Sequence, residues 1–229
     1  MSKVPVSVII LSFNRPNWIR EALRSARDSS DIIIVDDGSD YDLSLLRSER
    51  VPFRLVQRPH MTPEERVIAP GPGKWINEAL HFIRNPYVTY LCDDDWFYPG
   101  WLSQAYKFLE DDDSHLVGGE WLLYFADGIT MWGGRFTAGN FVHRTECLAE
   151  VQWLEEKQAS LDAEFLNSFN HAHEKPLRDY PFCGIAGFRR MHSLNLLSEE
   201  IHGEYAKSME CGMREGELLL CPPEKPHLS

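Results

Sequence analysis

The sequence predicts an α/β protein: a doubly wound, mostly parallel sheet with helices on both faces and a small antiparallel addition. Two observations before Asp95 carry this. The strand-like segments are continuous β-branched runs, not alternating ones, which is the pattern of strands buried on both faces. Helix-like segments separate them, as crossover connections between parallel strands require.

Taken in order, Val6-Ser7-Val8-Ile9-Ile10-Leu11 reads as a buried strand. Asn17 to Arg27 follows as an amphipathic helix, with Trp18, Ala22, Leu23 and Ala26 at helical spacing. Ile32-Ile33-Ile34-Val35 is a second strand, stopped by Asp36-Asp37-Gly38-Ser39, and Arg54-Leu55-Val56 is a weaker third. A helix over Lys74 to Ile83 leads into a fourth, Val88-Thr89-Tyr90-Leu91-Cys92. Beyond Asp95 the pattern changes. Gly100 to Leu109 reads as a helix, and Leu116 to Phe125 pairs with Thr130 to Trp132 around an Ala126-Asp127-Gly128 turn. Cys147 to Asn170 reads as largely helical, and periodicity fades after Gly203. The domain reading is therefore 1–202, divided into 1–98 and 99–202, followed by an extension over 203–229.

The 229 residues are 43% hydrophobic and 25% charged, with seven Trp and twelve Phe, so the chain can bury a core. A net charge of −12, with no basic run longer than Arg189-Arg190, argues against a nucleic-acid surface. Cys92, Cys147, Cys183, Cys211 and Cys221 show no CxxC spacing and suit free thiols in a reducing compartment. No stretch approaches a membrane span or a signal h-region, so a cytoplasmic location is expected. A homo-oligomer is left open.

The chemistry gathers at strand ends. Asp36-Asp37 and Asp93-Asp94-Asp95 each follow a parallel strand, so both belong to the sheet edge where ligands bind in such folds. Crowded carboxylates repel one another, and a divalent cation offsets that repulsion; oxygen ligands suit Mg²⁺ or Mn²⁺, which also bridge diphosphate oxygens. Asp95 is expected at an exposed strand end. Asp111-Asp112-Asp113 closes a helix with no turn chemistry after it and reads as a solvated charge run.

In the order Leu11-Ser12-Phe13-Asn14-Arg15-Pro16, Val35-Asp36-Asp37-Gly38-Ser39, Gly71-Pro72-Gly73-Lys74-Trp75-Ile76-Asn77-Glu78-Ala79-Leu80, Asp93-Asp94-Asp95 and Arg190-Met191-His192-Ser193-Leu194-Asn195, the chain resembles the family 2 glycosyltransferases of the GT-A fold. The ordered set runs from about Val4 to Ser198 and is specific, although each piece alone is weak. The resemblance implies a metal-dependent transferase that moves a sugar from a nucleotide-diphosphate sugar, a UDP-sugar foremost, to a hydroxyl of a glycan, lipid-linked or other acceptor, with inversion.

It also implies roles. Leu11, Phe13, Asn14 and Arg15 would line the nucleoside pocket. Asp37 would accept hydrogen bonds from the base while Asp36 supports the turn. Asp93 would meet the ribose or the metal's water shell, Asp94 belongs with it to the donor-binding set, Asp95 would ligate Mn²⁺ or Mg²⁺, and His192 would be a further ligand. Asn77 belongs to the donor-side helix motif. Lys74, at that helix's start, could meet a phosphate, and Trp96, beside the acidic triplet, a donor sugar. The general base is expected as an acid at a helix start some thirty residues before His192, which makes Asp162 the better match and Glu164 the reserve. The usual Gly-Gly-Phe-Asp lead-in is absent there. Arg135 and Arg144 are weaker acceptor-side candidates. Trp101, Trp121 and Trp132 cluster in the same half. His60, His81, His115 and His227 read as structural, and His171-x-His173 as no metal pair.

Two other readings remain. A sugar nucleotidyltransferase would need a Gly-rich loop after the first strand, where Ser12-Phe13-Asn14-Arg15-Pro16 has no glycine. A binding module without transferase activity would bind nucleotide and turn nothing over.

Overall fold

The computed structural model describes residues 3–62, 65, 69–125, 128–132, 136–156, 161–176 and 179–190. Its strands are β1 (Val4–Ser12), β2 (Ser29–Asp36), β3 (Arg54–Gln57), β4 (Tyr87–Cys92), β5 (Trp96–Phe97), β6 (Leu116–Phe125), β7 (Gly128–Trp132), β8 (Phe141–Arg144) and β9 (Phe182–Arg190). They form one sheet in the order β3-β2-β1-β4-β8-β6-β9-β5, with β7 paired to β6. The half β3-β2-β1-β4 is parallel throughout. β8 then runs antiparallel to both β4 and β6, and β9 returns parallel to β6.

Helices α1 (Trp18–Ser25), α2 (Pro72–Leu80), α3 (Trp101–Asp111) and α4 (Leu161–Ala172) cover the two faces. Strand alternation decides which side chain meets which helix. Val8, Ile10, Ile32 and Ile34 pack with Ile19 and Leu23 of α1 and with Trp101, Leu102 and Leu109 of α3. Their neighbours Ile9, Ile33, Val35, Val88 and Tyr90 point the other way, onto Ile76 and Ala79 of α2 and Phe165, Leu166 and Phe169 of α4. Both sets are buried, which is why these strands read as unbroken apolar runs.

Two expectations need correction. Cys147 to Asn170 is not one helix: a 3-10 turn at Thr145–Ala149 gives way to irregular chain over 150–156, and α4 starts at Leu161. Val151 and Trp153, two apart, are both buried there, an extended spacing that a helix would place on different sides. Trp101 and Trp121 are core residues, 1% and 0% exposed. Arg144 does not face an acceptor. Its guanidinium donates to the Leu109, Ser114 and Asp112 carbonyls around the end of α3, and it lies over Tyr87.

The Gly-rich entry to α2 has a packing reason. A Cβ on Gly73 would lie 2.1 Å from the Leu154 carbonyl oxygen, so only glycine lets the segment around Trp153 approach. Asn77 fixes that approach: its amide donates to the Trp153 carbonyl at 2.9 Å and accepts from the Trp153 N–H at 3.0 Å. No helix among the described residues is long and apolar enough to cross a membrane.

Candidate active site at the strand ends

Strand order reverses around β1. After β3 the chain crosses back to place β4 on β1's other side, leaving a crevice beyond the carboxyl ends of β1, β2 and β4. The backbone carries the ladder into the loops: Asp37 N–H donates to the Ser12 carbonyl at 2.8 Å and Asp93 N–H to the Leu11 carbonyl at 2.9 Å. Both acidic clusters are thereby fixed on either side of β1.

Asp36 is fully buried, and its carboxylate accepts from the Ser39 N–H and hydroxyl at 2.9 and 2.5 Å, which closes the turn. Gly38 sits in that turn at φ +72°, where a Cβ would meet the Pro59 carbonyl oxygen at 2.5 Å. Asn14, itself at φ 52°, joins the two loops: its side chain accepts from the Asp40 N–H at 2.7 Å, and its own N–H donates to the Ser39 hydroxyl at 2.9 Å. Asp37 is reached by the guanidinium of Arg58, which is 5% exposed and lies 4.1 Å from the Trp75 ring centre. The Phe13 ring stays 39% exposed at the same crevice.

The triplet Asp93-Asp94-Asp95 is buried, at 2%, 8% and 3% exposure, which corrects the expectation of an exposed Asp95. The turn folds inward because its carboxylates find donors there. Asp93 accepts from the Phe13 N–H at 2.9 Å and from Arg15 at 2.8 Å, and Arg15 also reaches Asp94 at 3.1 Å. Asp95 accepts from the Arg190 N–H at 3.1 Å. Burial, with the Asp94 charge acting against the attraction of Arg15, lifts Asp93 to about 6. Burial and the Asp94 charge hold Asp95 well above the ordinary carboxylate range. Arg15 keeps its charge more firmly than usual: burial opposes it, but Asp94 and Asp93 outweigh that.

This donor set fits a hard divalent cation. Ligand atoms of Asp94, Asp95 and the Cys92 thiol lie within 4.8 Å of one another, and carboxylates that resist ionisation when buried gain from a nearby positive ion. The Cys92 thiol is pushed well up by burial and by the same carboxylates, which leaves the oxygens as the ready ligands. His192 lies outside the described residues, as do Arg135 and the 203–229 extension.

Asp162, in the first turn of α4, accepts from the Ala138 and Ala163 N–H groups at 3.3 and 3.0 Å. It is linked to the triplet through Arg189. Burial works against that guanidinium, but the charges of Asp95, Cys92, Asp162 and Asp94 together raise its pKa. Glu164 is half-buried one step further along α4. Lys74 stands in the first turn of α2 with its ammonium 5.3 Å from the Trp75 ring centre. Asn77, pinned to Trp153, serves packing. Trp96 is stacked on Phe188 at 5.1 Å, and Arg190 lies over its ring at 4.9 Å.

Sequence reasoning missed Arg58 and Arg189. Arg58 follows an unremarkable edge strand, and only the Asp36 carbonyl, which accepts its N–H at 2.9 Å, brings it to the crevice. Arg189 lies in β9, where Gly184, Ala186 and Gly187 obscure the strand pattern. A Cβ on Gly187 would lie 2.4 Å from the Trp96 carbonyl oxygen, so the glycine is there for close approach. The second acidic run, Asp111-Asp112-Asp113, is exposed as expected, but it does make a turn: Asp112 accepts from the Ser114 N–H at 2.8 Å.

A parallel half-sheet with an acidic edge at its switch point, extended by antiparallel strands, is the architecture of GT-A glycosyltransferases. The chain belongs to glycosyl transferase family 2, whose model matches residues 7–190. An uncharacterised glycosyltransferase of Rickettsia felis is 32% identical over 112 residues, covering 47% of this chain and 18% of that protein. A poly(ribitol-phosphate) beta-glucosyltransferase of Bacillus spizizenii is 26% identical over 122 residues, covering 50% and 19%. The chain thus spans about a fifth of the length of these curated relatives. Among solved structures, S. aureus TarS 1-349 in complex with UDP superposes with a TM-score of 0.64 at 18% identity, over 95% of this chain and 67% of that one. Glucosyl-3-phosphoglycerate synthase from Mycobacterium tuberculosis, in complex with Mn²⁺, UDP and glucosyl-3-phosphoglycerate, gives 0.58 at 16% identity, over 90% and 80%. At these identities the likeness is one of fold.

Proposed function

We propose that this chain transfers a sugar from a UDP-sugar to an acceptor hydroxyl, with inversion and with a divalent cation, Mn²⁺ or Mg²⁺. The observation that carries the reading is the buried acidic turn Asp93-Asp94-Asp95 at the switch point, facing the Asp36-Asp37 turn across the end of β1. Uridine is favoured because solved neighbours hold UDP or UDP-GlcNAc.

In this reading the nucleobase enters against the exposed Phe13 ring, and the Asp37 carboxylate, oriented by Arg58, accepts from its N–H. Asp93, held by Phe13 and Arg15, accepts from a ribose hydroxyl. Asp95 with Asp94 would hold the cation, with His192 as the further ligand that the family resemblance implies. When bound, that cation neutralises the departing diphosphate. Asp162 takes the proton of the acceptor hydroxyl as the acceptor oxygen bonds to the anomeric carbon, and the electron pair of the breaking carbon–oxygen bond leaves with UDP. Its place in the first turn of α4, with Ala138 and Ala163 N–H groups on its carboxylate, orients it for this role. Glu164 is the alternative base. The acceptor is a hydroxyl of a glycan or lipid-linked saccharide, and the site of action is cytoplasmic.

A thermal-shift panel of UDP-, GDP-, dTDP- and CMP-sugars, each with and without Mn²⁺, tests the donor half. A ligand that binds only the native state raises the melting temperature, by the equivalent of about 2.7 kcal/mol at a hundredfold excess over Kd. UDP-sugars with Mn²⁺ should give the largest rise; no rise with any nucleotide sugar would refute the reading.

A further inference from the structure

Arg190 joins more of the site than any role above requires. Its N–H donates to the Asp95 carboxylate at 3.1 Å, its Nε to the Asp94 carbonyl at 3.4 Å, and its Nη2 to Glu21 of α1 at 2.5 Å. The guanidinium also lies over Trp18, Trp96 and Tyr124, at 5.1, 4.9 and 5.9 Å from their ring centres. Trp96 is backed by Phe188 in near-parallel stacking and meets Tyr124 edge-on. One planar cation thereby ties α1, β5, β6 and the end of β9 to the acidic turn.

The backbone explains why the tie bears on the turn and not only on packing. The Asp93-Asp94-Asp95 turn is closed by the Asp95 N–H, which donates to the Cys92 carbonyl at 3.2 Å, and its three carboxylates repel. Arg15 holds the Asp93 and Asp94 side, while Arg190 holds the Asp95 side and the peptide between. A lysine could supply the charge but not the plane among three rings nor two directed donors at fixed spacing.

We infer that Arg190 is the positioning residue of the cation-binding turn: its aromatic-seated guanidinium holds the Asp94 peptide and sets the place of the residue's own backbone N–H, which donates to the Asp95 carboxylate, in the arrangement that receives the divalent ion. This rests on the metal-dependent reading above. Residues that orient ligating groups typically change metal affinity by about 10- to 100-fold when altered.

The test is UDP binding by calorimetry across a Mn²⁺ titration, and again in chelator without metal, for the full chain and for Arg190→Lys, Arg190→Met and Glu21→Gln. The half-saturating Mn²⁺ concentration should rise about tenfold or more in both Arg190 variants. In Glu21→Gln it should rise less but in the same direction, and this variant keeps every group that touches the turn in case the Arg190 changes prevent folding. UDP affinity in chelator should stay within about twofold throughout. An Arg190→Lys protein with the unaltered Mn²⁺ requirement would overturn the inference, as would equal losses of UDP affinity with and without metal, the mark of a merely structural role. If the unaltered chain binds UDP with no dependence on Mn²⁺, the metal-dependent reading itself falls and takes the inference with it, whereas a failure confined to the variants leaves that reading standing.

Discussion

Replacing Gly73 with alanine should destabilise the protein strongly while sparing its ligand chemistry. The added Cβ would sit 2.1 Å from the Leu154 carbonyl oxygen and 2.8 Å from its carbon, both backbone atoms that cannot swing aside. The start of α2 and the segment around Trp153 must then part by about 1 Å or more to regain van der Waals contact. Overpacking of this kind costs about 1–3 kcal/mol. The same separation strains the Gly71 N–H bond to the Glu155 carbonyl at 2.5 Å and the paired bonds of Asn77 to Trp153 at 2.9 and 3.0 Å. Each such bond is worth about 1 kcal/mol net, so overpacking and the loss of all three bonds together cost roughly 4–6 kcal/mol. For a chain of this size that lowers the melting temperature by roughly 10 °C. Differential scanning fluorimetry measures the loss, and UDP calorimetry well below the transition measures the site. A melting temperature unchanged within about 2 °C together with lost nucleotide affinity would refute the reasoning and make the glycine turn a phosphate cradle instead.

Asp95→Ala should abolish Mn²⁺-dependent donor binding and leave the metal-free melting temperature nearly unchanged or raised, because a buried carboxylate that resists ionisation is removed; Asp112→Ala should loosen only the exposed Ser114 turn and leave binding intact. Equal losses of donor affinity in the two variants, read by calorimetry, would contradict the separation of site from surface run. Asp162→Asn should keep UDP and Mn²⁺ affinity but slow transfer by about 100-fold or more, with Glu164→Gln mild; normal turnover in Asp162→Asn would remove it as the base, and a collapse in Glu164→Gln would move the role along α4. Burial pulls His143 down to about 4, so the folded state refuses a proton that the unfolded chain accepts. Its contribution, on the order of 3 kcal/mol, is complete above about pH 6.5 and is lost as pH falls toward about 4. Denaturant melts should show that acid loss, and His143→Gln should flatten it.

The parallel half of the fold was legible because burial on two faces writes itself as unbroken runs such as Ile32 to Val35, and because acidic residues stop those runs at the ligand edge. The antiparallel half was less so. The β6–β7 hairpin was read from Ala126-Asp127-Gly128, whereas β8 is four residues long and β9 carries glycines whose purpose appears only where Gln104 crowds Gly184 and Trp96 and Trp121 crowd Gly187. At the site, motif order identified the acidic turns, yet nothing local in the sequence distinguishes an exposed Asp95 from a buried one. That depends on the Arg190 N–H, which is 95 residues away. Sequence separation also hid Arg58, 21 residues from Asp37, and Arg189, and it concealed the bonds of the Asn77 amide to Trp153, 76 residues along the chain. Long-range pairing, and not local propensity, decides each of these cases.

The central claim is transfer from a UDP-sugar, and release of UDP from UDP-sugar measures it most directly, followed over time with Mn²⁺ and with chelator for the unaltered chain and for Asp162→Asn. Release that requires the divalent ion, rises when acceptor saccharides are added and falls by about 100-fold in Asp162→Asn is the predicted result. Tight Mn²⁺-dependent UDP-sugar binding with no release under any acceptor would contradict it and would mark the chain as a binding module on a glycosyltransferase fold.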